Sequence, residues 1–102
     1  MAREIIEQQA KYLAAENRKN DPDITEVYWF PDDDEVRLVE VNDTVPESAE
    51  LEIRPFYFRP SPTAQLPAPS GIALIRHSEV RRLRPPDDWG SWESAIRIED
   101  AG

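Results

Sequence analysis

The densest group of side chains that could do chemistry is the run Asp32-Asp33-Asp34-Glu35. Carboxylate oxygens are the ligands that Ca²⁺ and Mg²⁺ prefer, so Asp32 and Asp34 are weak candidates for holding a metal ion. The run fails the test for a calcium loop, because Arg37 stands at the sixth position, where that loop needs a glycine. Acids between two predicted strands are more typical of a solvated turn. The sequence therefore predicts no metal site here.

Nucleophilic and cofactor-dependent catalysis have few residues to use. His77 is the only histidine, and Ser78 beside it is better explained as a helix cap than as part of a catalytic triad. Three glycines and no cysteine leave no phosphate-binding loop, dinucleotide fingerprint or thiolate metal site. Two carboxylates acting across a cleft stay open as an alternative, although no pair stands out. We expect no cofactor, and the balance favours a protein that is not an enzyme.

Aromatic residues form the most suggestive binding feature. Two triplets, Tyr28-Trp29-Phe30 and Phe56-Tyr57-Phe58, fall in predicted strands, where alternation places the middle residue opposite its neighbours. Two further tryptophans stand close together near the C-terminus. Such side chains more often form the core, yet tryptophan and tyrosine also dominate many protein interfaces. The candidate binding residues of this class are Trp29, Tyr57, Trp89 and Trp92.

A group of arginines follows a predicted buried strand. Arg76, Arg81, Arg82 and Arg84 could bind an anion or a nucleic acid, or the acidic first half of a second copy of the chain in a twofold dimer. The alternative is an exposed helix face on which arginines neighbour Glu79. Arg81, Arg82 and Arg84 complete the candidate binding residues.

The net charge of −9 lies entirely in the first half of the chain. Residues 1–50 hold 14 acidic and 5 basic residues, whereas residues 51–102 hold seven of each. This excess repels phosphate backbones and anionic lipid, so nucleic acid is an unlikely partner and a membrane is not expected. No apolar stretch approaches the ~20 residues of a membrane span, and no signal-peptide core is visible. Without cysteine, the sequence predicts a soluble protein of the cytoplasm.

Periodicity predicts the elements that must position these residues. Apolar residues at helical spacing predict a helix from Arg3 to about Arg18, ended by Pro22. Strand-forming residues predict a hairpin of residues 24–30 and 36–41 around the acidic turn. Strict alternation puts Ile24, Tyr28 and Phe30 on one face and Val27 and Trp29 on the other, so both faces of the sheet must be covered.

The second half of the chain is less regular. We expect a strand over 51–58 that Pro55 confines to an edge or a bulge, and a buried central strand over 71–76. Between them lies a proline-rich loop, 59–70. A short helix capped by Ser78 would run to Leu83, and another would begin at Asp88, with room for a last strand.

Together these elements predict one α+β domain over residues 1–102, with 1–2 and 99–102 frayed. It would have an N-terminal helix on one sheet face, a mainly antiparallel sheet of three to five strands, and short C-terminal helical segments that close one end. The favoured function is a non-catalytic protein-interaction or regulatory module. Its partner would be another protein, or a second copy in a homodimer. The alternative is a small ligand-binding protein or enzyme that uses carboxylates and arginines near the proline-rich loop.

Overall fold

The computed structural model of the chain describes residues 2–32, 35–53 and 71–99. Within these residues one α-helix, α1, packs on a five-stranded sheet in the order β3-β4-β2-β1-β5. The elements are α1 (Ala2–Asn20), β1 (Ile24–Trp29), β2 (Val36–Asn42), β3 (Glu50–Ile53), β4 (Gly71–Arg76) and β5 (Ile96–Arg97). Tyr57, Asp34, the proline-rich loop and residues 100–102 lie outside the described residues.

The sheet is mixed. Within the described residues, β2 pairs with β1, β1 with β5 and β3 with β4 in antiparallel fashion, but β2 and β4 run parallel. Parallel neighbours need a crossover connection, and here the chain forms the edge strand β3 before it returns as β4. β4 therefore lies inside the sheet, which confirms the predicted central strand over residues 71–76.

Helix α1 forms because small and apolar residues recur on one face. Ile6, Ala10 and Ala14 are buried against the sheet, four residues apart. Arg18 and Lys19 in the last turn complement the helix dipole. The helix continues to Asn20, slightly beyond the predicted end, and the backbone N–H of Asp21 still donates to a carbonyl of its last turn.

Both faces of the sheet carry a hydrophobic cluster, as the hairpin pattern predicted. The cluster under α1 contains Ile6, Ala10, Ala14, Ile24, Val27, Trp29, Val36, Leu38, Ala73 and Ile98. The cluster on the other face contains Tyr28, Phe30, Val39, Val41, Leu74 and Trp89, with Trp92 packed against it. The tryptophan segment thus covers the second face and does not close an end of the domain, which corrects the sequence-based expectation. It does so because the side chains of Tyr28 and Phe30 need cover on that face.

One face assignment was wrong. Ile24 packs under α1 with Val27 and Trp29, not with Tyr28. The pairing of β1 with β2 shifts register between Ile24 and Glu26. An irregularity of this kind interrupts strict alternation, so the residue before it changes face.

The C-terminal helical segments are only short 3₁₀ turns: Ser78–Val80, Asp87–Trp89 and Trp92–Ser94. The first turn is capped by His77, whose Nδ1 accepts from the backbone N–H of Glu79 at 3.1 Å, and not by Ser78 as expected. The helix does not reach Leu83, which lies in a turn where its N–H donates to the carbonyl of Val80, and the carbonyls of Leu83 and Arg84 accept hydrogen bonds from the side chain of Arg76.

Candidate functional site

A groove of about 400 Å³ runs between α1 and the sheet edge formed by β5. One stripe of α1 forms its first wall, with Glu7, Lys11, Ala15 and Arg18 at spacings of four, four and three residues. The sheet supplies the second wall through Trp29, Ile96 and Ile98. These seven residues, with Arg97 and Glu99 at one end, define what we call the α1–β5 groove. Its volume falls within the range of small binding sites, ~300–1,000 Å³.

The sheet side of the groove is apolar and partly open. Ile96 pairs with Trp29 across β5 and β1, so the two side chains lie on the same face. Trp29 and Ile98 are buried, whereas Ile96 is 47% exposed. Ile96 is therefore the apolar residue that a bound molecule would cover.

Trp29 also leaves a polar atom without a partner. Its indole Nε1 is buried and has no hydrogen-bond acceptor in the described part of the chain. A buried donor without a partner costs about 1–3 kcal/mol. Trp29, a candidate from the sequence, is thus a core residue that also lines the groove, and not an exposed anchor.

The charged residues of the groove are mostly paired with one another. Lys11 Nζ lies 3.5 Å from Glu7 Oε1. At the other end, Arg97 Nε lies 3.4 Å from Glu99 Oε1. Arg18 is half-buried and forms no hydrogen bond or salt bridge with the described residues. Arg18 is therefore the cation of the groove whose charge is not compensated by a direct contact.

The groove continues past the end of α1. A second hollow of about 350 Å³ shares Arg18, Arg97 and Glu99 with it and extends to Ile24 and Thr25. Because Arg18 lines both hollows, it lies where they meet. One end of the combined cleft lies near Glu7 and Trp29, and the other end lies at the start of β1.

The outer edge of β5 is open beside this groove. The backbone N–H of Ile98 donates to the carbonyl of Val27 at 2.8 Å, which makes these two a hydrogen-bonded pair. In an antiparallel ladder such pairs alternate, so the N–H and C=O of Arg97 point away from β1. Within the described residues no strand pairs with β5 on that side. This edge could therefore accept a further strand.

A carboxylate on the opposite face fastens β5 to the rest of the sheet. Glu26 Oε1 accepts from the hydroxyl of Tyr28 at 2.6 Å and lies 3.6 Å from Arg97 Nη1. Its other oxygen, Oε2, lies 3.5 Å from Arg81 Nε. The candidate Arg81 therefore belongs to an ion-pair network on the face opposite to α1, outside the α1–β5 groove.

The remaining arginines are spread over different environments. Arg82 and Arg84 are exposed, whereas Arg76 is only 2% exposed. The guanidinium of Arg76 donates to the carbonyls of Leu83 and Arg84 and to the carboxylate of Glu50. The four arginines accordingly do not share one exposed helix face. The side chain of Arg76 is buried, and it binds the backbone of the segment that contains the other three.

The two C-terminal tryptophans pack on the second face of the sheet. Trp89 is buried with its ring centroid 5.4 Å from that of Phe30. Trp92 lies edge-on to Tyr28 and Phe30 at 5.4 and 5.0 Å, and its Nε1 donates to the carbonyl of Leu83 at 2.7 Å. Both side chains therefore contribute to the core on the face opposite to the α1–β5 groove.

In the described part of the acidic run, the carboxylates of Asp32 and Glu35 contact neighbouring groups of the protein. Asp32 Oδ2 accepts from the backbone N–H of Glu35 at 3.0 Å, and Oδ1 lies 3.6 Å from Arg37 Nη1. Arg37 also donates to Glu35 and lies over the ring of Trp89 at 6.0 Å. Across residues 2–32, 35–53 and 71–99, no three histidine, aspartate or glutamate side chains come together to hold a metal ion.

One carboxyl group has a pKa shifted by burial. Glu40 is 1% exposed, and its loss of solvent raises its pKa, against smaller opposing effects of a hydrogen bond from Asn17 and of the charge on Arg18. The backbone N–H of Ser78 acts in the other direction on exposed Asp43, whose pKa it lowers. Glu40 lies beneath the end of α1 and does not line the groove, so its shift indicates a structural role.

The groove was missed by sequence reasoning. Local signals for it exist, since Ile96 and Ile98 alternate like a strand and Glu7, Lys11 and Arg18 share one side of α1. The groove forms only because β5 pairs with β1, and nothing local in the sequence specifies that pairing.

Comparison with known proteins does not extend this description. No family model matches the chain, and neither the curated proteins nor the solved structures give a match. In the described part of the chain, no helix combines the length and the apolar character that a membrane crossing needs. The function must therefore be argued from the chemistry of the groove.

Proposed function

We propose that this protein is a non-catalytic interaction module that binds an extended segment of another protein along the outer edge of β5. The observation that carries the proposal is the outward-facing backbone of Arg97 next to the exposed side chain of Ile96. A strand added there gains backbone hydrogen bonds from the edge and places alternate side chains into the α1–β5 groove.

The two requirements of this binding mode occur at the same place. Backbone pairing supplies affinity without sequence preference, and a neighbouring pocket supplies selectivity. β5 offers the first through Arg97, and the groove offers the second through Ile96 and the uncovered side of α1. Open edges attract unwanted partners, and a strand of only two residues limits that risk while leaving a site for a specific segment.

The alternative is a small ligand bound near the proline-rich loop, which lies outside the described residues. That loop joins β3 to β4, whereas β5 lies at the opposite edge of the sheet. The acid with a burial-shifted pKa, Glu40, is covered by α1 and hydrogen-bonded to Asn17, so it supports a structural role and not an acid–base role.

The test uses a proline at the outward-facing position. In Arg97→Pro the lost N–H is one that makes no bond to β1, and proline is tolerated on edge strands, so the fold is expected to persist. Arg97→Ala is the matched control, because it removes the same side chain but keeps the N–H. Both variants lose the contact to Glu26, and Arg97→Pro additionally loses the backbone donor and fixes the backbone at residue 97.

Binding would be measured with peptides selected from a displayed nonapeptide library against the wild-type protein. We expect the selected peptides to bind Arg97→Pro at least tenfold more weakly than Arg97→Ala, and to shift the backbone amide signals of residues 96–98. Circular dichroism would check that both variants are folded. Enrichment of no peptide, or equal binding by the two variants, would contradict the proposal.

Two further expectations belong to the same proposal. A second copy of the chain is the other occupant that β5 could accept. If analytical ultracentrifugation gives twice the monomer mass for the wild type and the monomer mass for Arg97→Pro, the partner is a second copy and not another protein.

The cytoplasmic location expected from the lack of cysteine remains a prediction, which imaging of the tagged protein in its host would test.

A further inference from the structure

From the charges of the α1–β5 groove we infer that the bound segment carries an acidic side chain that pairs with Arg18, two residues away from an apolar side chain that covers Ile96. This inference rests on the proposed strand addition at β5 and specifies the chemistry of the partner. It concerns one side chain of the segment, whereas the strand addition concerns its backbone.

The first argument is the charge balance of the cleft. Its two acids have cationic partners, Glu7 with Lys11 and Glu99 with Arg97. Arg18 lines both hollows and forms no salt bridge among the described residues; the carboxyl group on which its charge acts, that of Glu40, is buried and does not line the cleft. A bound segment covers this half-buried guanidinium further, and a cation withdrawn from water needs an anionic or hydrogen-bonding partner.

The second argument is the spacing along the groove. From Glu7 to Arg18 the helix rises about 16 Å at ~1.5 Å per residue. An extended chain covers that length in about five residues, with every second side chain on the groove side. Ile96 and Ile98 are likewise two residues apart, and because β5 runs antiparallel to β1, Ile98 lies nearer than Ile96 to the start of β1 and so to the end of α1 that carries Arg18. A side chain over Ile96 is therefore followed, two residues along, by one that can reach Arg18.

The third argument is where the negative charge of the protein lies. Helix α1 contains four basic and three acidic residues, whereas residues 21–50 contain eleven acidic residues and one basic residue. The groove wall is thus formed by the least acidic part of the first half. An acidic run would be repelled by the protein as a whole, so the inference is a single carboxylate close to Arg18, where contact outweighs the screened repulsion.

The test extends the library selection on the full chain. Selected nonapeptides should be enriched in aspartate or glutamate two positions from a large apolar residue. Arg18→Gln should weaken their binding about fivefold, the size typical of a half-exposed ion pair, and Arg18→Glu more strongly. Lys19→Gln is the matched control, because Lys19 is an exposed cation of the same helix turn that does not line the groove. Replacing the peptide acid by lysine should restore binding to Arg18→Glu.

The outcomes separate this inference from the proposed function. One outcome is that the selected peptides bind Arg97→Pro weakly but are not enriched in acidic residues, or that they bind Arg18→Gln and Arg18→Glu as well as the wild type. This outcome would contradict the acidic side chain that pairs with Arg18, and it would leave the proposed strand addition unaffected. Peptides that bind Arg97→Pro as well as Arg97→Ala would overturn strand addition and the inference with it. Rescue of Arg18→Glu by the lysine peptide supports the ion pair with residue 18, and weaker binding to Arg97→Pro than to Arg97→Ala supports strand addition.

Discussion

The side-chain amide of Asn17 donates a hydrogen bond to Oε2 of Glu40 at 2.7 Å, across the contact between α1 and β2. Glu40 belongs to the central part of the sheet and is 1% exposed. One strand position further on that face, Asn42 donates to Asp21 Oδ2 at 3.0 Å. These two bonds hold the end of α1 over β2. They thereby fix the position of Arg18, which lies in the last turns of α1, beside the groove.

The burial of Glu40 predicts a pH dependence of stability. Because its pKa in the folded state is raised above the ordinary value of 4.5, its stabilising contribution is complete below that value and is lost as the pH rises through the folded-state pKa. Glu40→Gln stays uncharged, so its unfolding free energy relative to the wild type is expected to increase from pH 4 to pH 7. Urea unfolding at both pH values measures this. Glu47→Gln, at an exposed position, is the control. If the difference in unfolding free energy between Glu40→Gln and the wild type does not change with pH, the raised pKa of Glu40 is contradicted.

The buried guanidinium of Arg76 predicts a loss of stability on its removal. Arg76→Met keeps similar bulk but leaves the carbonyl of Arg84 and the carboxylate of Glu50 without their donor. We expect the unfolding free energy to fall by about 1–3 kcal/mol in urea titration. Arg82→Met, at an exposed position, should stay within about 0.5 kcal/mol. An Arg76→Met variant as stable as the wild type would mean that the desolvation of the guanidinium offsets its bonds.

Substitution of Trp92 tests whether this side chain stabilises the core or serves only as a surface contact. Trp92→Ala removes ring contacts to Tyr28 and Phe30 and the hydrogen bond to the carbonyl of Leu83. Truncation of a packed tryptophan typically costs about 3–5 kcal/mol, and Trp92 is half-buried, so about 3 kcal/mol is expected in thermal or urea unfolding. Leu83→Ala, at a 57% exposed position, should cost much less. Equal stability of Trp92→Ala and the wild type would show that the ring serves only as a surface contact.

Gly90 holds the turn between the two C-terminal tryptophans in a conformation that other residues rarely adopt. Its φ is +90°, and a Cβ added there would meet Ser94 Oγ at 3.3 Å. Gly90→Ala is therefore expected to lower the unfolding free energy by about 1–3 kcal/mol. The neighbouring exposed substitution Ser91→Ala should have an effect within about 0.5 kcal/mol. If Gly90→Ala unfolds at the wild-type temperature, the turn does not hold its positive φ in solution.

The parts of the fold that could be predicted are those with local signals. Helix α1 follows from apolar residues at helical spacing, and β1 and β2 follow from strand-forming residues on either side of an acidic turn. The apolar run from Gly71 to Arg76 indicated a strand inside the sheet, where β4 lies. In each case the residues that decide the structure are neighbours along the chain.

The parts that could not be predicted depend on contacts between distant residues. The parallel pairing of Val36 with Gly71 and the pairing of Tyr28 with Arg97 have no local signature, yet they set the strand order and create the groove. Arg76 resembled its exposed neighbours in sequence, and only the sheet shows that its side chain turns inward. The register shift near Ile24 likewise arises from pairing with β2 and not from residue type.

The parallel pairing of β2 with β4 also has a consequence for the order of folding. The β1–β2 hairpin closes over a short loop, which takes microseconds, whereas the pairing of β2 with β4 must close the much longer segment between Asn42 and Gly71. Until then the edge of β2 that pairs with β4 presents unpaired backbone N–H and C=O groups to strands of other chains. Aggregation therefore competes with refolding at this stage. We expect the refolding yield to fall as the protein concentration rises, with the unpaired edge of β2 as the point of attack.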